Sequence, residues 1–207
     1  MRAGRPGTQP ALERWLVGSI VATVVLAAGA CIPPRPSPSP SPIASPTVPP
    51  SASTGIVVDP PLLDLLPGSI DGVAVTPDLD TAAEIASDPA LALFVEGIAV
   101  ATAFGPPATD DAGDYVVVTL ARLRPGAFDA GFHRGWRDTF DDAVCGQAGG
   151  VDGHAEVEIA GHQTFIGTCL GGIRTYHVHL PDRDVLVSMQ AVGERRFGEQ
   201  IVAGLTE

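Results

Sequence analysis

Residues 163–192 read QTFIGTCLGGIRTYHVHLPDRDVLVSMQAV, and three strands are written in that stretch. Apolar and polar residues alternate over 163–170, 173–180 and 185–192, separated by Gly171-Gly172 and by Pro181–Asp184. A glycine pair between two alternating runs signals a two-residue hairpin, because that turn needs left-handed backbone at both central positions. The reading places Leu170 opposite Ile173, Cys169 opposite Arg174 and Phe165 opposite Val178. A four-residue turn at Pro181–Asp184 places Leu180 opposite Val185. Register then sorts the faces, since a shift of one residue sends every side chain to the other side. Phe165, Gly167, Cys169, Tyr176, Val178, Leu180, Val185, Val187, Met189 and Ala191 form the expected core face. Thr164, Ile166, Thr168, Thr175, His177, His179, Leu186, Ser188 and Gln190 form a wetter one.

Working upstream, Ala155–Ala160 is a fourth strand before this group. Gly97–Phe104 and Tyr115–Leu123 are predicted to pair as a hairpin, the second apolar on both faces as a central strand is. Between the two groups lies the clearest helix, opened by Pro125-Gly126. Phe128, Phe132, Trp136, Phe140 and Val144 recur every fourth residue along it, an aromatic stripe expected in the core. Asp141 falls outside that stripe. Ile70–Val75 reads as a short strand, Asp80 or Thr81 as a helix cap, and Ser87-Asp88-Pro89 as a second helix start burying Leu91, Phe94 and Val95. Glu194–Leu205 closes the chain as an amphipathic helix. The expected fold class is α+β: an antiparallel sheet of about six or seven strands with helices mainly on one face.

The chain has 207 residues, and its first 54 do not read as globular. Arg2, Arg5 and Arg14 precede an uncharged run from Trp15 to Ala30, between the lengths of a secretory core and a spanning helix. Residues 1–31 are therefore read as a signal peptide or signal anchor. Residues 32–54 follow as a Pro/Ser-rich tether, whose prolines remove backbone donors and fix φ, and which spans on the order of 60 Å when extended. Residues 55–207 form the extracytoplasmic domain. Ala27-Ala28-Gly29-Ala30-Cys31 resembles a bacterial lipobox. The resemblance implies that Cys31 carries the lipid and becomes the mature N-terminus; an uncleaved anchor and plain secretion are the other readings. With Cys31 set aside, Cys145 and Cys169 remain as an even pair in an exported domain, which predicts a disulfide between them. The order of elements over 62–205 resembles the PsbP/Mog1-like folds of exported lipoproteins and the extracellular sensor domains of bacterial kinases. That resemblance implies a fold and assigns no residue a role.

From Gly55 onward eight arginines stand against 23 Asp and Glu, a net charge of −15, and there is no lysine in the chain. Such a domain is repelled by phosphate backbones, so no nucleic-acid partner is expected. Its expected partners are the membrane, through the N-terminal lipid or helix, and an unknown small ligand or envelope protein. The chain lacks G-x-S-x-G, H-E-x-x-H, P-loop and G-x-G-x-x-G patterns, so no catalytic residue and no cofactor is assigned. His177 and His179 are the one candidate metal pair, with imidazoles about 7 Å apart on one strand face; exposed polar positions are the plainer reading. Glu156 and Glu158 join that face if the preceding turn allows. Asp110, Asp111 and Asp114 surround a glycine in a way that suits calcium or a solvated loop. The function expected is a membrane-anchored, non-catalytic binding or interaction domain. An exported enzyme with an unfamiliar site, and a structural envelope lipoprotein, are the alternatives.

Overall fold

The computed structural model describes residues 55–106 and 113–206. They fall in one compact unit, Val48–Glu207. Its strands are β1 (Val57–Val58), β2 (Ser69–Ile70), β3 (Val73–Ala74), β4 (Thr76–Pro77), β5 (Val95–Phe104), β6 (Tyr115–Leu123), β7 (Val151–Ile159), β8 (His162–Cys169), β9 (Arg174–Leu180) and β10 (Val185–Val192). Its helices are α1 (Leu79–Ala86), α2 (Ala130–Gly146) and α3 (Phe197–Ala203), with 3-10 turns at Pro60–Leu65, Leu91–Leu93 and Pro181–Arg183.

The main sheet has eight strands in the order β1-β5-β6-β10-β9-β8-β7, with β4 also pairing β5. The β1–β5 pair is parallel and the other pairs of this sheet are antiparallel. The count exceeds the expected six or seven because β1 and β4 add two short ribbons beside β5. The expected strand over Ile70–Val75 instead folds back on itself as the β2–β3 hairpin, turning on Asp71 and Gly72, both at positive φ.

Helices cover both faces of the sheet, which corrects the one-sided expectation. On one face Leu62, Leu65, Leu66 and the α3 residues Phe197, Ile201 and Val202 pack over Tyr176, Val178, Val187 and Met189. On the other, Phe128, Phe132 and Trp136 pack over Val95, Ala121, Leu123 and Leu186. The reason lies in the Gly171-Gly172 turn. Only Gly172 takes positive φ (80°), and the Cys169 N–H donates to the Ile173 carbonyl at 2.9 Å. The loop is thus three residues long, a turn followed by one left-handed glycine. A Cβ on Gly171 would lie 2.8 Å from that of Ala148, so this glycine serves close approach and not φ. Register slips by one: Phe165 pairs with His177 and Thr164 with Val178. Phe165, Gly167 and Cys169 therefore share the face of Thr175, His177 and Ser188, and α2 packs there. The β9–β10 register follows expectation, with Leu180 opposite Val185.

Two helix expectations also change. The α1 cap is Asp78, whose carboxylate accepts both the Thr81 N–H (3.0 Å) and its hydroxyl (2.8 Å). After Pro89 only the 3-10 turn Leu91–Leu93 forms, because Val95, fully buried, is drawn into β5 opposite Leu123.

Candidate functional site

The aromatic stripe of α2 does not sit wholly in the core. Phe132, Trp136 and Phe140 are half-buried, and with Leu91, Phe94 and Ile98 they line a groove of about 480 Å³. The groove floor is the sheet and its rim is the segment after Pro89. Phe94 is 40% exposed, and its ring centroid lies 5.1 Å from that of Phe132, which is 6.0 Å from Trp136. Thr119 and Thr139 are the polar side chains of the lining, and no charged residue takes part. A concave, aromatic site of this size with two hydroxyls is the usual form of a small-molecule pocket.

Beneath the groove runs a buried polar chain. The Trp136 indole N–H donates to Ser188 Oγ at 2.9 Å. Ser188 Oγ lies 3.0 Å from His177 Nδ1, and His177 Nε2 lies 2.9 Å from Asp141 Oδ1. Asp141 also accepts the Thr175 hydroxyl at 2.5 Å and faces His154 Nε2 at 3.1 Å. Chemistry assigns the protons. Burial pushes the Asp141 carboxyl up, but hydrogen bonds from His177 and Thr175 outweigh it and hold the group below its ordinary value. An ionised carboxylate only accepts, so His177 Nε2 donates to it, and in the neutral imidazole Nδ1 is then bare. The indole only donates, so the Ser188 hydroxyl points its proton at that bare nitrogen. Asp141, His177 and Ser188 are each 1% exposed. A fully satisfied buried network of this kind specifies how α2 sits on the sheet.

The disulfide fixes the far end of the same helix. Cys145 at the end of α2 is bonded to Cys169 at the end of β8, with Cα atoms 5.1 Å apart. The expected pairing is present, on the α2 face and not on the face of Tyr176 and Val178.

His177 is buried and His179 half-buried, not on the expected wet surface, because α2 and the preceding Phe128 cover the face on which they stand. His177 has both ring nitrogens engaged. His179 stacks on Phe128 with centroids 3.6 Å apart, its Nε2 buried without a partner, and burial holds its pKa below the ordinary value. His133 on α2 is pushed down to about 4 by burial, with Arg137, His177 and His179 adding to the effect. Glu156 does share this face, opposite Phe165, and Glu158 sits opposite Gln163. Among the described residues no three His, Cys, Asp or Glu side chains come together as a metal set. Asp114 accepts the Arg195 N–H at 2.8 Å and so closes the turn after β10; Asp110 and Asp111 lie outside the described residues. Cys31 and the segments 1–31 and 32–54 lie outside them too.

The sequence reading missed Asp141, Thr175, Ser188, His154 and Trp136 as one network. A signal for Asp141 was present. It stands one helical turn before Cys145, so a bonded Cys145 that faces the sheet turns Asp141 toward it as well. No family model, no curated protein and no solved structure matches this chain.

Proposed function

We propose that this chain is a membrane-anchored extracytoplasmic protein whose domain binds a small, uncharged, apolar ligand in the α2 groove. The observation that carries the ligand class is the lining: aromatic and aliphatic side chains with two threonines and no charge, around about 480 Å³. An ionised ligand entering it would lose water and gain no partner. The location rests on the uncharged run Trp15–Ala30, on Cys31 as the lipidated residue, and on the proline-rich 32–54. The Cys145–Cys169 bond suits an oxidising compartment outside the cytoplasm.

The test uses a chain beginning at Val48, in which Trp136 is the one tryptophan. Titration with N-phenyl-1-naphthylamine, a neutral apolar probe, is expected to quench Trp136 saturably. Gly135 lines the groove, and a Cβ there meets nothing within 4 Å. Gly135→Leu fills the space and removes the quenching while the helix stays folded. Equal quenching in Gly135→Leu would refute the site.

A second reading, an exported hydrolase, is favoured by one observation: the Ser188–His177–Asp141 line has the proton arrangement of an activated nucleophile. Against it stands the 1% exposure of Ser188, with the Trp136 indole on its oxygen. Labelling by a fluorophosphonate separates the two. Stoichiometric labelling that Ser188→Ala abolishes would establish the hydrolase; no labelling keeps the network structural.

A further inference from the structure

Strand β7 ends the sheet, and among the described residues nothing pairs with its outer edge. The register shift of β7 against β8 lies at Val151/Gly153, so Ala155–Ile159 runs regular and open. It carries no proline, and its charged positions are Glu156 and Glu158. Its two faces differ. Toward α3, Val157 and Ile159 form a groove of about 670 Å³ with Ile166 and Ala203, walled by Arg195 and Arg196, whose charges are already paired with Asp71 and Glu199. Toward α2, Glu156 and Glu158 are exposed and point the same way, two residues apart.

This pattern selects an occupant. A second copy pairing antiparallel about Val157 would set Glu156 opposite Glu158 twice, and a parallel copy would stack each glutamate beside its equal. Like charges in cross-strand positions oppose both arrangements. A strand with basic residues at alternate positions meets no such opposition. Its arginines or lysines face Glu156 and Glu158, its intervening apolar residues cover Val157 and Ile159, and its backbone completes the ladder.

The geometry points to β7 as a docking edge for an extended protein segment that alternates apolar and basic residues. This surface is separate from the α2 groove and holds whether or not that groove takes a ligand.

The test uses the full-length chain in neutral detergent and a fluorescent eight-residue peptide alternating valine and arginine. Two controls accompany it: a valine–glutamate peptide, and a peptide of the first composition with its arginines in one block. Anisotropy is expected to give the alternating arginine peptide an affinity about tenfold above either control, falling as salt is added. Hydrogen exchange should slow in Ala155–Ile159 on binding and not in α2. The double variant Glu156→Arg/Glu158→Arg, altered at exposed positions only, should reverse the preference toward the glutamate peptide. Equal binding of the block peptide, protection elsewhere, unchanged preference in the double variant, or no binding by a folded chain would each overturn the proposal. So would a peptide-free dimer, seen by sedimentation, that the double variant loses.

Discussion

Gly167 is where the buried network is most exposed to a single atom. It lies in β8 between His154 on β7 and Thr175 on β9. A Cβ added there would overlap Thr175 Oγ1 and come 2.7 Å from Asp141 Oδ2. Neither neighbour is the loose end of a flexible chain, since Thr175 and Asp141 are held to each other and Asp141 also to His177. Gly167→Ala must therefore either strain β8 or break the carboxylate away from its donors. Overpacking costs about 1–3 kcal/mol. A hydrogen bond lost to a buried charge costs about 1.5–3 kcal/mol more. Where both occur the sum is about 2.5–6 kcal/mol, a large share of the roughly 5–15 kcal/mol by which a domain of this size is stable. The midpoint should fall by on the order of 10 °C. Urea and thermal unfolding of the disulfide-intact protein measure this. Gly153→Ala, where a Cβ meets nothing within 4 Å, serves as the control and should shift stability by less than about 0.5 kcal/mol. Removing the overlapped hydroxyl should relieve the strain, so Gly167→Ala in a Thr175→Ala background should cost at least about 1 kcal/mol less than in the native chain. A loss below about 1 kcal/mol in Gly167→Ala, or strict additivity with Thr175→Ala, would refute the assignment of Asp141 as a tightly held carboxylate.

Three further outcomes follow from the same geometry. His133 stays neutral in the fold down to about 4 against an ordinary 6.5, so the unfolded chain takes up its proton first. Stability is then full above pH 6.5 and falls as pH drops toward 4, and His133→Gln should flatten that slope in urea titrations by about 1–2 kcal/mol after allowing for solvent screening. Reduction of Cys145–Cys169, which closes a separation of 24 residues, should cost about 3.5 kcal/mol by loop entropy, read as a shift in urea midpoint with and without reductant. Phe94→Ala, at a site 40% exposed, should cost about 1–2 kcal/mol in melts and weaken apolar-probe binding about tenfold in the Trp136 assay.

The elements legible in advance were those whose signal is local. Val185–Val192 and its four-residue turn came out at their read positions because Leu180 and Val185 both demand the core and one turn length satisfies both. The β5–β6 hairpin and the α+β class were legible from uninterrupted apolar runs. The register of β8 was not, because a glycine pair is compatible with two loop lengths, and the choice depends on how closely Ala148 approaches Gly171. That single residue of slip turned Phe165, Gly167 and Cys169, and with them α2 and the disulfide, to the face that already carried His177 and His179. Val95 was assigned to a helix because its local pattern is helical, while its pairing with Leu123 is a long-range event. Of the site, the aromatic spacing of Phe132, Trp136 and Phe140 was visible, but the difference between a core stripe and a groove wall depends on what stands opposite, and that is Phe94 and Leu91 from another part of the chain.

The first described residues also set how the domain answers a pull. Any tension arriving through residue 54 enters at β1, which is held by two residue pairs to β5, by the Asp59 N–H on the Ile98 carbonyl at 2.8 Å, and by the Arg122–Asp59 ion pair at 2.9 Å. Behind it stands a stop: Leu62, Leu65 and Leu66 are 2%, 8% and 7% exposed, and the Leu65 carbonyl accepts the Thr206 N–H at 3.0 Å, so the start and end of the fold are tied together. A force applied there would peel residues 55–59 first and add about 17–18 Å of extended chain. A further increase must extract leucines from the core. The entry point of the chain is thus a two-pair strand in front of buried leucines, so a pull from the N-terminal side would strain β1 before it reached the sheet, the groove or the β7 edge.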